Sequence, residues 1–571
     1  MKTKSLLAAS AALLMILTGC GKNRTLYIVT TGDVHGSFFD RPYVDGGGVK
    51  TSLMSVMHFV DSLRNAVGRG NVLLLDAGDA LQGDNATYYY NYVATEGEHL
   101  YSRIAAYMGY DAVVMGNHDV ETGHPVYDKV AAELNAHGIA YLAGNYLRPD
   151  GTSYFPEYRT FRRAGKKVLV LGYGNANIKA WLSEPLWSGM EFESLVPFVQ
   201  NGVDRAVAAE KPDVVIVVTH SGLGEGDGSM LESQCLDLFN SLHGVDVLVA
   251  AHDHSRYAGR KDGLAIVDGG SRAGYVGFVT LTDDAGERKV EASTVRLDKS
   301  AVDERMEEEF RPDFEAVKAF TNREIGSLEG VMYTRDAFAG MCPYMNLVHT
   351  VEISVPEAEI SFAAPLTYNG TISSGILKYN DMFTIYPYEN QMFVVRMTGE
   401  EIRNYLEYSY DGWIRTPGEH LLKISPRSDA RSSSSSWSFD NRTYNFDSAA
   451  GLVYEVDVRK PFGSRVSIRS MANGSPFDPS ASYNVAMTSY RANGGGSIMS
   501  EGAGIRDVEA EGRVVARYPE IRDMIYGFIS EHGNITPELV SDPAVIGSWK
   551  FVPESVVNPL IEEDMKLVFG R

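Results

Sequence analysis

Val113-Val114-Met115-Gly116-Asn117-His118-Asp119 is an apolar run broken by a turn-forming glycine and followed at once by an amide, an imidazole and a carboxylate. Open α/β sheets deliver ligands in this way, because their sites lie just beyond the carboxyl ends of the strands. Alone, the stretch reads equally well as a polar turn. Working outward, residues 26–31 lead into Gly32-Asp33-Val34-His35-Gly36 and residues 72–75 into Asp76-Ala77-Gly78-Asp79. Residues 214–218 lead into Thr219-His220-Ser221-Gly222, and 245–250 into Ala251-His252-Asp253-His254. A single His after a strand is more often structural than a ligand. Five apolar runs that each deposit Asp, His or Asn just past their ends point to one shared site.

Segments with helix-like spacing lie between several of these runs, at 49–67, 99–108 and 126–137, and a further apolar run lies at 168–171. Strand-helix-strand repetition predicts a layered α/β domain over 21–300, with a sheet core flanked by helices. Shorter strands from 264 to 294 finish its sheet, with a turn around 283–286. A chain of 571 residues is too long for one ordinary domain. Residues 301–325 are charged and helical and read equally as a linker at 301–330 or as a solvated helix packed on the first domain, and a smaller α+β domain is expected over 331–571. Ser432 to Ser436 form a low-complexity loop expected to be exposed.

A hydrophobic fraction of 44% and a charged fraction of 22% are ordinary for a soluble protein. The net charge of -22 argues against binding a nucleic-acid polymer, which needs clustered Lys and Arg. It also means that an anionic substrate needs a locally positive spot, which a metal cluster would supply. Lys2 and Lys4, an apolar stretch at 6–17 and Leu17-Thr18-Gly19-Cys20 read as an export signal over 1–20, too short to span a bilayer. The ending resembles the lipobox of bacterial lipoproteins, which implies a lipid on Cys20 and attachment to the cell envelope, facing periplasm or exterior. Gly21 in place of Asp resembles lipoproteins sorted to the outer membrane. With only Cys235 and Cys342 beyond Cys20, this is no disulfide scaffold.

Mixed His, Asp and Asn ligation without thiolates suits borderline or hard divalent ions such as zinc, manganese, cobalt or iron. Seven candidate ligands exceed the needs of one tetrahedral ion and fit two ions that share a carboxylate. Paired ions roughly 3.5–4 Å apart clamp the attacking and leaving oxygens of a phosphoryl displacement.

The series Asp33-Val34-His35, Gly78-Asp79, Gly116-Asn117-His118-Asp119, Thr219-His220 and His252-Asp253-His254 resembles the calcineurin-like metallophosphoesterases. Order and spacing are similar to the 5′-nucleotidase branch, with its UDP-sugar hydrolases and 2′,3′-cyclic nucleotide phosphodiesterases. The resemblance implies that Asp33, His35 and His254 hold one ion, that Asn117, His220 and His252 hold the other, and that Asp79 bridges them. It leaves His118 to face the substrate, stabilising the phosphoryl group or protonating the leaving oxygen, with a metal-activated water as nucleophile. The family places an Asp three residues after this His; Glu121 stands there, a carboxylate with one more methylene.

Tyr386-Pro387-Tyr388-Glu389-Asn390, with Met397-Thr398-Gly399-Glu400-Glu401-Ile402, resembles part of the 5′-nucleotidase C-terminal domain. Ser489-Tyr490-Arg491-Ala492-Asn493-Gly494-Gly495-Gly496 resembles a second loop of it. The resemblance implies that Tyr388 and Tyr490 sandwich a base, an arrangement that tolerates base identity; packing roles are the alternative in a chain with 32 tyrosines. Two departures stand out. Gly496 occupies the place of an Asp that takes ribose hydroxyls, and Ser361-Phe362-Ala363-Ala364-Pro365-Leu366-Thr367 lacks the Asn and Arg that help hold phosphate in the family. Cys342-Pro343-Tyr344 opens a helix whose His349 either lines the pocket or, as the favoured reading, is a packed or exposed helix residue.

The reading is an exported, lipid-anchored, dimetal phosphohydrolase of the 5′-nucleotidase type, acting on nucleotides. One alternative keeps the chemistry on a non-nucleotide small phosphoester. Another is a non-catalytic ligand-binding lipoprotein.

Overall fold

The computed structural model describes residues 25–43, 48–284, 287–388, 390–426 and 437–570. The export signal with Cys20 and Gly21, the tip of the turn at 285–286 and the serine-rich loop at 432–436 lie outside the described residues. Among those described, no helix is long and apolar enough to cross a membrane. The chain divides into two units, one reaching to Ile178 and resuming over Pro185–Glu315, the other formed by Lys179–Glu184 and Ala316–Arg571.

In the first unit the main strands are β1 (Leu26–Thr31), β2 (Val72–Asp76), β3 (Ala112–Val114), β4 (Ala140–Leu142), β5 (Tyr158–Arg163) and β6 (Lys166–Tyr173). They continue with β7 (Val214–Thr219), β8 (Val247–Ala250), β9 (Arg256–Lys261), β10 (Leu264–Gly269), β11 (Tyr275–Asp284) and β12 (Glu287–Arg296). These make not one sheet but two, each of six strands, in the orders β12-β11-β1-β2-β3-β4 and β9-β10-β8-β7-β6-β5. The period of two along each strand sorts the side chains. Leu26, Ile28, Leu73 and Leu75 of the first sheet share one buried core with Val214, Ile216, Val218, Val247 and Val249 of the second. The alternate residues Val215 and Val217 turn the other way, onto Leu195, Val199 and Val203 of the helix Leu195–Glu210. Strands buried on both faces read as continuous apolar runs, as parallel strands do.

The helix within 49–67 begins at Leu53, where Ser52 Oγ accepts from the Met54 amide, and so starts later than its apolar spacing suggests. The expected linker helix is two helices, Glu304–Glu309 and Arg311–Thr321, and residues 324 and 325 open a strand, Glu324–Leu328. The charged pattern does not distinguish an interrupted helix from a continuous one.

The second unit is built on a five-stranded sheet that runs Ser448–Ala450, Ile360–Ala363, Ser482–Thr488, Gln391–Thr398, Val514–Glu520. Helix Gly399–Trp413 packs beside it and opens with a reciprocal cap. Thr398 Oγ1 accepts from the Glu401 amide at 3.2 Å, and Glu401 Oε2 accepts from the Thr398 amide at 2.8 Å. At its far end Trp413 stacks on Tyr410 and Phe446, with ring centroids 5.4 Å apart in both cases. Cys235 and Cys342 are buried free thiols.

Candidate metal centre

Register brings the strand ends level. Thr31 lies opposite Asp76, Asp76 opposite Val113, and in the second sheet Val249 opposite Val218. Asp33, Asp79 and Asn117 therefore leave one sheet beside each other, and His220, His252 and His254 leave the other.

Two groups form. Ligand atoms of Asp33, His35 and His254 lie within 4.8 Å of one another, as do those of Asp79, His220 and His252. Asn117 joins the second group, its Oδ1 2.9 Å from His252 Nδ1 and 3.1 Å from His220 Nε2. All seven expected metal ligands thus come together. The imidazoles are oriented by backbone carbonyls: His35 Nδ1 donates to Gln82 O at 3.1 Å and His220 Nδ1 to Ala77 O at 2.8 Å. Each presents Nε2 to the centre, which is how a carbonyl fixes the tautomer of a ligand His.

The electrostatics ask for positive charge. Burial pushes the Asp33 carboxyl up to about 7. Burial also opposes the His220 imidazolium, but the carboxylates of Asp79 and Asp33 outweigh it and lift that group to about 10. Burial holds His35 well below its usual range and takes His252 down to about 3. Nε2 of His35 and Nε2 of His254 stand 3.0 Å apart, two ring nitrogens converging on one spot. Divalent cations satisfy this donor set, replacing protons on the nitrogens and compensating the buried carboxylates, so the residues fit the two ions.

Backbone strain marks the same residues. Asp33, His35, Asp79, His252 and His254 all have positive φ, between 47° and 84°. Such conformations cost of order 1–3 kcal/mol each and persist where the surroundings over-determine them.

His118 stands outside the ligand set. Its Nδ1 is 2.5 Å from Glu121 Oε2, its side chain is 31% exposed, and its ring meets that of His35 edge-on at 5.3 Å. The extra methylene of Glu121 does not prevent pairing. Burial disfavours the His118 imidazolium, but Asp79 and Glu121 outweigh it and raise it to about 9.

Two residues that sequence reasoning left out of the site support it. Asp119 is buried and accepts from the amides of Gly116 (2.8 Å) and of Asp79, Ala80 and Leu81 (3.0 Å each), tying the ends of β2 and β3 together. Its position three residues after Gly116, from which a carboxylate reaches back to the amide that opens the helix, was the available signal. Arg272 donates its amide to Asp33 O at 2.8 Å, and its exposed guanidinium adds to burial in disfavouring protonation of His35 and His254. No motif pointed to it.

In the second unit Tyr386 is buried and Tyr388 is 38% exposed, so the two tyrosines flanking Pro387 have different roles. Tyr490 lies flat against Gly495, where a Cβ would fall 2.5 Å from the ring, and meets Tyr444 edge-on at 6.2 Å. Its neighbour Arg491 is buried in a two-pronged pair with Asp447, at 2.8 and 2.9 Å. A Cβ on Gly496 would lie 2.4 Å from Asn445 Oδ1 and 2.6 Å from an Arg491 nitrogen, so that space is already filled. Ser361 and Phe362 are buried in the sheet. His349 is buried between Ser361 Oγ (2.7 Å) and Ser448 Oγ (3.2 Å), a packed histidine.

Residues 26–256 match the calcineurin-like phosphoesterase family, and residues 324–501 match the 5′-nucleotidase C-terminal domain. The 2′,3′-cyclic-nucleotide 2′-phosphodiesterase/3′-nucleotidase of Salmonella typhimurium is 24% identical over 621 aligned positions, spanning 95% of this chain and 92% of that protein. A 5′-nucleotidase of Vibrio vulnificus is also 24% identical, over 70% of this chain and 80% of that one. The crystal structure of a candidate 5′-nucleotidase from Staphylococcus aureus shares the fold with a TM-score of 0.75, at 21% identity over 92% of this chain and 99% of that one.

Proposed function

The chain is a calcineurin-like metallophosphoesterase with a 5′-nucleotidase C-terminal domain, and on that premise we propose that it is an exported dimetal phosphohydrolase acting on nucleotide phosphoesters. The observation that carries the reading is the convergence of Asp33, His35 and His254 beside Asp79, His220 and His252, with Asn117 between the last two histidines. In this reading the first three hold one ion, Asn117, His220 and His252 hold the other, and Asp79 is shared. Bound there, two divalent ions supply Lewis acidity and lower the pKa of water, so no Ser or Cys nucleophile is required.

The chain's own part is positioning and proton transfer. Glu121 fixes Nδ1 of His118, which frees Nε2 to donate a proton to the leaving oxygen. The neighbouring carboxylates of Asp79 and Glu121 favour the protonated imidazole. Once cations match the charge of Asp79, Glu121 remains to hold it. Exposed Tyr388 and partly buried Tyr490 are offered as the base platform, and relatives named as nucleotidases and a cyclic-nucleotide phosphodiesterase support that substrate class. In this reading Cys20 carries the lipid that anchors the chain to the bacterial cell envelope, at the outer membrane, and the assay below uses the chain without residues 1–20.

The test is turnover of AMP, a cyclic nucleotide, a UDP-sugar, a sugar phosphate and a nitrophenyl ester with added manganese, alongside metal analysis. About two ions per chain and preference for a nucleotide are expected. Gly496, with its side-chain space occupied by Asn445 and Arg491, favours a second reading in which the ester is not a nucleotide. Equal or better cleavage of the non-nucleotides would select it. Absence of both metal and turnover would leave only a ligand-binding lipoprotein.

A further inference from the structure

The ends of β2, β3 and β4 opposite the metal ligands carry a second feature. A cavity of about 510 Å³ opens there, lined by Arg64, Arg69, Tyr110, Asp111, His137 and Arg163 among others. Val72 begins β2 and Asp111 immediately precedes β3, so the length of the sheet, roughly 15 Å, separates this cavity from the candidate metal centre.

Three guanidiniums face one carboxylate. Arg163 pairs with Asp111 and also donates through Nε to Val72 O at 3.1 Å. Arg64, only 6% exposed, donates to Met108 O at 2.6 Å and Gly109 O at 3.0 Å, the closing carbonyls of helix Leu100–Met108. Its Nε is buried without an acceptor. Arg69 is exposed, with one Nη against Gly109, and among the described residues no carboxylate lies within 4.0 Å of it. His137 is taken by Glu98. Burial, then repulsion from Arg69, brings Arg64 down to about 10, with Asp111 and Asp61 opposing the shift and Arg163 adding to it. Crowded, incompletely neutralised guanidiniums are unexpected in a chain of net charge -22.

We propose that this cavity is a second anion site that takes a phosphate dianion, either inorganic phosphate or the phosphate of a nucleoside monophosphate. Three arginines and one aspartate line the cavity, so its wall carries an excess of positive charge that a dianion offsets. Guanidinium forks suit phosphate oxygens, and the volume is in the range of small-molecule sites. The site stands apart from hydrolysis and does not depend on the reading of the metal centre.

Equilibrium dialysis of the metal-loaded chain with radiolabelled inorganic phosphate tests it. Arg69→Glu is expected to bind one phosphate fewer per chain, or to bind it at least about tenfold more weakly, with turnover of a nitrophenyl phosphate unchanged. Arg69→Gln, which keeps the stem and removes only the charge, should weaken binding in the same direction, so a folding defect in Arg69→Glu does not decide the matter. A non-hydrolysable phosphonate analogue of AMP forms the second arm. Stronger displacement than by phosphate identifies a nucleotide site, and equal displacement a free-phosphate site. Identical phosphate binding in the parent chain and a folded Arg69→Gln overturns the proposal.

Discussion

At the scale of single residues, the centre depends on groups that touch neither ion nor substrate. Gly116 has no room for a side chain: a Cβ would sit 2.0 Å from Asp79 Oδ1. Gly116→Ala is therefore expected to displace the shared carboxylate and lower bound metal below one ion per chain, read by elemental analysis. Asp119→Ala would strand four backbone amides, each worth about 1–3 kcal/mol when left unpaired, and should lose metal as well. Retention of both ions in either variant would refute this account. His118→Ala should keep its metal and lose about 10²–10⁴ in kcat, the usual contribution of a general acid. The ligands themselves were legible because they follow apolar runs. Asp119 and Arg272 were less so, because their partners are backbone amides and carbonyls that a sequence does not display. A further prediction concerns Glu352, whose carboxyl burial raises to about 8 within the second unit. The folded state then holds a proton that the unfolded state releases above about 4.5, so this group costs stability as pH rises from 4.5 to 8. Glu352→Gln should remove that fall, gaining on the order of a few kcal/mol at pH 8 and little at pH 4. Parallel pH profiles for the two proteins would refute it.

At the scale of elements, local signals and burial agree where a strand is buried on both faces. The run at 26–31 is β1 to the residue, and 72–75 and 214–218 each extend by one residue to Asp76 and Thr219. β4, three residues long, escaped notice, and so did β5, because Arg159, Arg162 and Arg163 break its apolar alternation at the edge of a sheet. The doubling of the sheet was not legible either. A run such as Val214 to Val218 has the same apolar character toward a second sheet as toward a helix, so it does not say which lies opposite. The reciprocal cap at Thr398 and Glu401 was visible as Thr-Gly-Glu-Glu and makes a quantitative prediction. Thr398→Ala should destabilise the second unit by about 1 kcal/mol, measured by chemical denaturation. No change would mean that packing of Tyr405 and Trp413, rather than the cap, sets the start of that helix.

At the scale of the whole molecule, the candidate ions belong to one unit only. A ligand that binds the folded form stabilises it by mass action. Chelation should therefore lower the thermal midpoint of the unit that ends at Glu315 and leave that of the unit built on Ala316–Arg571 in place. Calorimetry with and without chelator reads this directly, and equal shifts in both would refute it. Within the first unit each candidate ion takes ligands from both sheets: Asp33 and His35 meet His254, while Asp79 and Asn117 meet His220 and His252. His35 and His254 are 219 residues apart. That separation sets an order of events in the life of each molecule. A growing chain has made its first ligands long before the last ones exist, so the two sites cannot close until residues 252 and 254, respectively, have been synthesised and both sheets have met. Closed coordination at either site is therefore a property of the two sheets together and of neither alone.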